Sequence, residues 1–355
     1  MNWIERRWYQ SKPITCLRPL SALFGALAHR RRLGYSNSPS KVWDAPVPVI
    51  VVGNITVGGT GKTPLVTYLV ELLRANGYTP GVISRGYGGK SDRYPLEVTN
   101  EVSAQQAGDE PKLIQTRCQC PVFVGPQRVE AAKALLKAHR CDVIISDDGL
   151  QHYALGRDIE IAVVDGQRGF GNQALLPAGP LREPLERLHR CQFVVQNGHP
   201  DQIQWPKSHQ MNLQSDGLFS VADIVNSTPS QPVSAEETNK YQTVTAFAGI
   251  GHPQRFFDQL SQDYAFKVEG VPLADHTDFR KGLPQPQESQ ALVCTEKDAI
   301  KLIDLGQHKA SVPLWYLRVS ATLPPIFDEG VLTRLAKVAA RKSSEGETKN
   351  AAASA

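Results

Sequence analysis

Along this chain, short unbroken apolar runs alternate with stretches whose apolar residues recur every three or four positions. The runs are "PVPVIVV" (46–52), "TPGVIS" (79–84), "CDVIIS" (141–146), "IEIAVVD" (159–165) and "CQFVVQN" (191–197). Apolar residues without alternation imply strands buried on both faces, as in a parallel sheet covered by helices on each side. Between the first two runs, "LVTYLVELLRANG" puts Leu65, Leu69, Leu72 and Leu73 at helical spacing and closes with Gly77. "RVEAAKALLKAHR" (128–140) repeats the helical pattern. Sheets of this kind bind ligands at the carboxyl ends of their strands. Here those ends carry Gly58–Thr63, Arg85–Tyr87, Asp147–Asp148 and Asp165.

From about residue 200 to 240 the periodicity weakens, and Gln, Ser, Asn, Asp and Pro dominate. Beyond it, "YQTVTAFAGIG", "YAFKVEGVPLADH", "QALVCTEKDAIKL" and "VPLWYLRV" predict a second, smaller α/β unit. The expected fold is α/β: a P-loop NTPase-like, mostly parallel sheet flanked by helices, with a smaller α/β domain after it. The expected division is a basic amphipathic segment at 1–40, a P-loop domain at 41–205, a connecting region at 206–240, the smaller domain at 241–340 and a tail at 341–355. That tail, "RKSSEGETKNAAASA", is poor in apolar residues and is expected to be disordered.

The segment joining the first strand to the first helix is "GNITVGGTGKTPL" (53–65). A strand, a glycine loop, Lys-Thr and a helix form the arrangement that holds a phosphate chain. Backbone amides surround the phosphate oxygens, and the helix offers its positive end. Gly58, Gly59 and Gly61 permit close approach, Lys62 reaches the β- and γ-phosphates, and Thr63 holds Mg²⁺. The loop from Thr56 and Val57 through Gly58, Gly59, Thr60, Gly61, Lys62 and Thr63 is therefore the expected nucleotide site. Pro64 costs little early in a helix, where its missing N–H has no partner to lose. One departure is Thr56, where the general pattern has Gly.

Such a site needs a carboxylate near the metal, at the end of a neighbouring strand. "VIISDDG" supplies Asp147 and Asp148; Asp165 in "VVDG" is a rival, and a turn is the plain alternative for both. "GDEP" (108–111) places Asp109 at the start of a helix, where it is either an N-cap or a base for an attacking hydroxyl. His276 in "DHTDF" is a histidine that could support such a base, or simply a structural one; His252 is another. "CTEKDAI" (294–300) does not have the spacing of a guanine-reading motif.

Charge changes the picture at the N-terminus. Residues 1–41 carry eight Lys/Arg against one acid, Glu5, a balance of +7 that leaves −3 on the rest of a chain of net +4. Trp3, Ile4, Trp8, Leu20, Leu23, Phe24 and Leu27 are interleaved with those arginines. The apolar run from Pro19 to Ala28 is too short to span a bilayer, which takes about 20 residues. An interfacial helix on an anionic membrane surface fits the mixture, the alternative being a helix packed on the body with a solvated basic face. No nucleic-acid reading module follows it, so nucleic acid is not expected as a partner. Six scattered cysteines without Cys-x-x-Cys read as reduced thiols of a cytosolic protein.

Taken together, "VGNITVGGTGKTP", "SRGYGG", "GDEP", "DDGLQH", "LLPAGPLREP" and "TEKDA" make the chain resemble the tetraacyldisaccharide 4'-kinase family of lipid A biosynthesis, from about Trp8 to Lys337. That family's loop also lacks the first Gly, so Thr56 agrees with the resemblance. The resemblance implies transfer of the γ-phosphoryl group of ATP, with Mg²⁺, to the 4'-hydroxyl of a tetraacyldisaccharide 1-phosphate, giving lipid IVA. It implies a peripheral enzyme on the cytoplasmic face of the bacterial inner membrane, with no obligate protein partner inferred. By resemblance, Thr60, Lys62 and Thr63 belong to the phosphate and metal site, Asp147 and Asp148 lie near Mg²⁺, and Asp109 is the base, supported by His276. Arg85, Tyr87, Arg128, Gln151, His152, Arg182 and Glu183 match positions at the active-site rim or the substrate. A P-loop switch or metal-chaperone NTPase is the competing reading, and it lacks guanine-reading residues or a Cys/His cluster. A non-catalytic membrane-binding module is the third, and Lys62-Thr63 with the paired aspartates argue against it.

Overall fold

The computed structural model describes residues 3–10, 14–198, 205–225, 231–274, 277, 279–285, 291–306 and 311–353. It opens with helices α1 (Trp3–Trp8) and α2 (Arg18–Ser36), followed by strand β1 (Val49–Gly53), α3 (Lys62–Ala75), β2 (Pro80–Ser84) and β3 (Leu96–Glu97). Then come α4 (Ala104–Ala107), α5 (Asp109–Cys118), β4 (Val122–Val124), α6 (Arg128–Ala138), β5 (Val143–Ser146), β6 (Ile159–Asp165) and β7 (Phe193–Asn197). The second half holds β8 (His209–Ser220), α7 (Val221–Val225), α8 (Ala235–Thr238), β9 (Thr243–Ala248) and α9 (Pro253–Asp263). It ends with β10 (Lys267–Pro272), β11 (Ala291–Thr295), α10 (Glu296–Asp304), β12 (Leu314–Thr322) and α11 (Pro325–Ala353).

Among the described residues the strands form one twelve-stranded sheet in the order β10-β9-β11-β12-β8-β7-β6-β1-β5-β2-β4-β3. All neighbours are parallel except β8 with β12 and β3 with β4. The five apolar runs of the sequence are β1, β2, β5, β6 and β7, so the α/β expectation holds. Their lack of alternation follows from cover on both faces. Ile50 and Val52 pack with Leu65, Val66, Leu69, Val70 and Leu73 of α3. Val49 and Val51 point the other way, into a core with Ala131, Ala132 and Leu135 of α6. Each such side chain removed from water contributes about 1.5–3 kcal/mol. α3 ends where Gly77, at φ 82°, lets the chain turn back, and its amide donates to Arg74 O.

Two stretches differ from expectation. The polar region 206–240 contains the twelve-residue β8, which pairs with β7 on one side and β12 on the other and so joins the two halves. Its sequence hides this, because a bulge opposite Arg318 and Val319 accommodates Asp216, whose carboxylate accepts from Ser320 Oγ. The segment after residue 340, expected to be disordered, is helical through Ala353 as the end of α11. Its charged residues are what dock it: Lys342 Nζ lies 2.8 Å from Asp44 Oδ1, and Arg341 Nη2 lies 2.7 Å from Asp158 Oδ1.

Candidate active site

The glycine loop leaves β1 in the middle of the first half of the sheet, beside β5 and β6. Gly58 and Gly61 have φ of 100° and 91°, a region that side chains rarely adopt. A Cβ on Gly61 would stand 2.4 Å from Asn197 Nδ2. Thr56, the departure from the general pattern, pairs as an antiparallel bridge with Leu181. Val57 N donates to Pro180 O at 2.9 Å, and Arg182 N donates to Ile55 O at 2.7 Å. The loop therefore begins as extended chain stitched to "PLRE", and needs no Gly there.

β5 ends at Ser146, whose register partner is Val51 of β1, so Asp147 and Asp148 follow directly beside the loop. Asp148, at φ 46°, has Lys62 Nζ 3.6 Å and Arg182 Nη1 3.1 Å from its carboxylate. Burial raises its pKa, but Lys62 and Arg182 outweigh that and hold it below the usual carboxyl range. Asp147 is 1% exposed. Its Oδ2 accepts from Ser84 Oγ at 3.1 Å, and its Oδ1 is buried without a hydrogen-bond partner. Burial, reinforced by Glu110, pushes its pKa up to about 7. Two adjacent acids are thus driven apart by their surroundings, a pattern that marks functional carboxylates.

The loop and Asp148 face a cavity of about 1180 Å³ between the two halves, and Asp147 is buried behind its wall. Its walls include Val57–Pro64, Tyr87, Glu110, Asp148, Arg182, His252, Arg255 and Lys297. Of the expected substrate residues, Arg182 and Tyr87 line it, and Arg85 is exposed. Arg128 and Glu183, expected at the rim or substrate, are 2% and 3% exposed. Arg128 donates to Gly125 O and, at 3.3 Å, to Asp147 O, while burial brings its pKa down to about 10. Glu183 accepts from Gln151 Nε2 at 2.8 Å and from Tyr153 Oη. Gln151 Nε2 also donates to Asn54 O, so this group braces the start of the loop from beneath. His152 is kept neutral, with a pKa brought down to about 4 by burial and by Arg128 and Arg85.

Asp109 opens α5, and its Oδ2 lies 3.4 Å from Lys301 Nζ of α10. The next residue, Glu110, is the one on the cavity wall, 3.8 Å from Lys297. His276 lies outside the described residues. His252, the other histidine considered, stands at the N-cap position of α9 without a side-chain capping bond, and lines the cavity with Nε2 buried and unpartnered. Burial and Arg168 bring its pKa down to about 4.

Sequence reasoning missed Asn54, Arg168, Asn197 and Arg255. Arg168 Nη2 donates to Gly59 O at 2.6 Å, and Arg255 Nη2 reaches Asp165 at 2.9 Å. Only Asp165 gave a signal, as a rival acid. In the structure it is held below the usual range because Arg255 and Arg168 overcome its burial.

Comparison with known proteins gives this arrangement a family. The family model described as tetraacyldisaccharide-1-P 4'-kinase, LpxK, matches residues 14–336. The tetraacyldisaccharide 4'-kinase of Shewanella frigidimarina is 48% identical over 341 residues, covering 96% of this chain and 97% of that one. That of Vibrio parahaemolyticus is 43% identical, covering 95% and 98%. A crystal structure of LpxK from Aquifex aeolicus in complex with ATP superposes with a TM-score of 0.74 at 28% identity, covering 90% of this chain and 99% of that one. On these matches and this geometry, the chain belongs to the tetraacyldisaccharide-1-P 4'-kinase family.

Proposed function

We infer that the chain transfers the γ-phosphoryl group of ATP to the 4'-hydroxyl of a tetraacyldisaccharide 1-phosphate, yielding lipid IVA. The observation that carries this is the glycine loop, Lys62 and Asp148 converging on one cavity, with Asp147 buried directly behind, within the fold of an ATP-bound relative. Phosphoryl transfer needs positioning and charge neutralisation more than covalent help. Lys62 and the loop amides would hold the phosphate oxygens, and Arg182, which pairs with Asp148 at 3.1 Å, would pair with one once Asp148 turns elsewhere.

Mg²⁺ fits the residues present. Asp147 Oδ1 is a buried carboxylate oxygen without a partner, beside Asp148 and the start of α3 that bears Thr63. Mg²⁺ is commonly held by one or two carboxylates together with substrate phosphates. When bound, the ion neutralises charge on the β- and γ-oxygens. Asp109 is proposed as acceptor of the sugar hydroxyl proton, with Lys301 steadying its carboxylate at 3.4 Å.

The N-terminal segment is proposed to hold the enzyme peripherally at an anionic cytoplasmic membrane face, where an acylated substrate resides. One face of α2 is fastened to the body: Ser21 Oγ donates to Leu175 O at 2.8 Å and accepts from Ala178 N at 3.0 Å. Leu20, Leu23 and Leu27 lie on the face left open, 53–58% exposed, with arginines flanking them. No described helix is long and apolar enough to cross a membrane. The test is label transfer from γ-labelled ATP to the acylated disaccharide 1-phosphate. Acceptor-dependent transfer is expected; label released as inorganic phosphate regardless of acceptor would overturn the kinase reading.

A further inference from the structure

We propose that Asn54, Arg168 and Asn197 are positioning residues that aim the amides of the glycine loop, and that Tyr9 on the N-terminal segment holds Arg168 in that role. This rests on the nucleotide reading above and adds residues that the loop's own sequence does not contain.

A peptide unit is planar and trans, so a carbonyl and the N–H of the next residue point in opposite directions. A donor that fixes one residue's carbonyl therefore fixes its successor's amide. Three consecutive carbonyls of the loop are held in this way. Asn54 Nδ2 donates to Gly58 O at 3.3 Å, Arg168 Nη2 to Gly59 O at 2.6 Å, and Asn197 Nδ2 to Thr60 O at 3.2 Å. The amides thereby fixed belong to Gly59, Thr60 and Gly61, all on the cavity wall. Glycine peptides turn over readily, so orientation has to come from outside the loop.

Arg168 is itself seated on several sides. Its Nε donates to Asp165 Oδ2 at 3.1 Å, and Asp165 is 2% exposed. The other oxygen of Asp165 accepts from the amides of Gln167 and Arg168 and from Arg255 Nη2. The Arg168 guanidinium lies over the Tyr9 ring, 5.4 Å from its centroid. The residue before Tyr9 is pinned to the chain after Arg168: Trp8 Nε1 donates to Pro177 O at 2.9 Å, and Asn172 N donates to Trp8 O at 2.7 Å. Only a planar fork meets Asp165, Gly59 and an aromatic face together; a lysine ammonium does not. The segment proposed to meet the membrane is thereby connected, through one guanidinium, to the phosphate loop.

The experiment is ADP binding by calorimetry to the full-length protein without lipid or vesicles. Arg168→Lys is expected to weaken ADP about tenfold, the loss of a charged hydrogen bond. Tyr9→Ala is expected to weaken it about fivefold, the worth of a half-buried cation–π contact. Tyr9→Phe keeps the aromatic face under the guanidinium and is expected to keep wild-type ADP affinity; a loss in Tyr9→Phe equal to that in Tyr9→Ala would overturn the brace. Wild-type affinity in Arg168→Lys would mean that charge alone suffices, and would overturn the aiming role. Should Arg168→Lys not fold, Asn197→Ser carries the same test, with about tenfold weakening expected and wild-type affinity the refuting result. Failure of the wild-type protein itself to bind ADP would instead sink the nucleotide reading.

Discussion

Asp147 and Asp148 are neighbours in sequence, yet the protein gives their carboxyls opposite tendencies: one is pushed up to about 7 and the other held below the usual range. The cause is local. Lys62 and Arg182 face Asp148, whereas Asp147 is sealed in with Oδ1 unpartnered. In its native state Asp147 keeps its proton up to about pH 7, while an ordinary carboxyl loses it near 3.8. The unfolded chain therefore releases that proton first, and stability falls as pH rises from about 4 to about 7. Asp147→Asn should flatten this slope and raise the thermal midpoint at pH 8. Mg²⁺ should raise the wild-type midpoint more at pH 8 than at pH 5, where a proton competes. Melting curves across that range decide it; a wild-type midpoint that does not fall with pH contradicts the assignment.

Binding and chemistry should separate by residue. Lys62→Ala removes the cation that faces Asp148 and is proposed to meet phosphate, so it should weaken ADP binding and also lower turnover by roughly 10²–10³. Asp109→Asn leaves the loop intact and should lower turnover by roughly 10²–10⁴ while ADP binds as before. Calorimetry and single-turnover label transfer on the two variants make the comparison. Normal turnover in Asp109→Asn would remove it as the base and turn attention to Glu110, its neighbour on the cavity wall.

The glycines of the loop are not equivalent. Gly61→Ala forces a Cβ to 2.4 Å from Asn197 Nδ2 at a φ of 91°, whereas a Cβ on Gly59 meets nothing within 4 Å. Gly61→Ala should therefore lower the thermal midpoint and abolish measurable ADP binding. Gly59→Ala should fold like wild type. Equal melting of the two variants would show that the loop's shape is not fixed by Asn197.

How much of this was readable beforehand depended on how local the cause was. The continuous apolar runs and the glycine loop announce β1, β5, β6 and a positive-φ loop on the cavity wall, because burial on both faces and a tight turn leave direct marks on sequence. β8 left none, since its bulge and polar outer face resemble a linker. The helix after residue 340 is docked by Lys342 and Arg341 on distant acids, a relationship that composition cannot carry. Arg128 and Glu183 read as substrate contacts from their motifs. The fold turns both inward, because Asp147 O, Gly125 O, Gln151 and Tyr153 satisfy them there.

If α2 lies on a membrane, its exposed leucines should carry the binding. Leu23→Glu with Leu27→Glu replaces two side chains that pack against nothing in the core, so the fold should melt as wild type. Each leucine removed from water is worth about 1.5–3 kcal/mol, so partitioning onto anionic vesicles should fall by at least about tenfold. Co-sedimentation with phosphatidylglycerol vesicles measures it. Undiminished binding would mean that the arginines, each worth about 1 kcal/mol near an anionic surface, suffice alone.

The two halves are joined by an ion cluster around the buried Arg117 as well as by β8. Arg117 of α5 lies 3.1 Å from Glu296 of α10 and 3.5 Å from Asp216 of β8, and it donates to Ser320 Oγ of β12 at 2.6 Å. Burial raises the pKa of Glu296, with Arg117 the main opposing influence. Arg117→Met strips that partner from a buried acid, which costs roughly 3 kcal/mol. The loss should shrink at low pH, where Glu296 takes up a proton, and grow as pH rises, because only the charged form needs the arginine. Arg117→Met combined with Glu296→Gln should recover much of the midpoint, since no buried charge is then left without a partner. Thermal denaturation of the single and double variants between pH 5 and 8 tests both expectations. A double variant no more stable than Arg117→Met would show that the arginine works through its contacts to β8 and β12 rather than through Glu296.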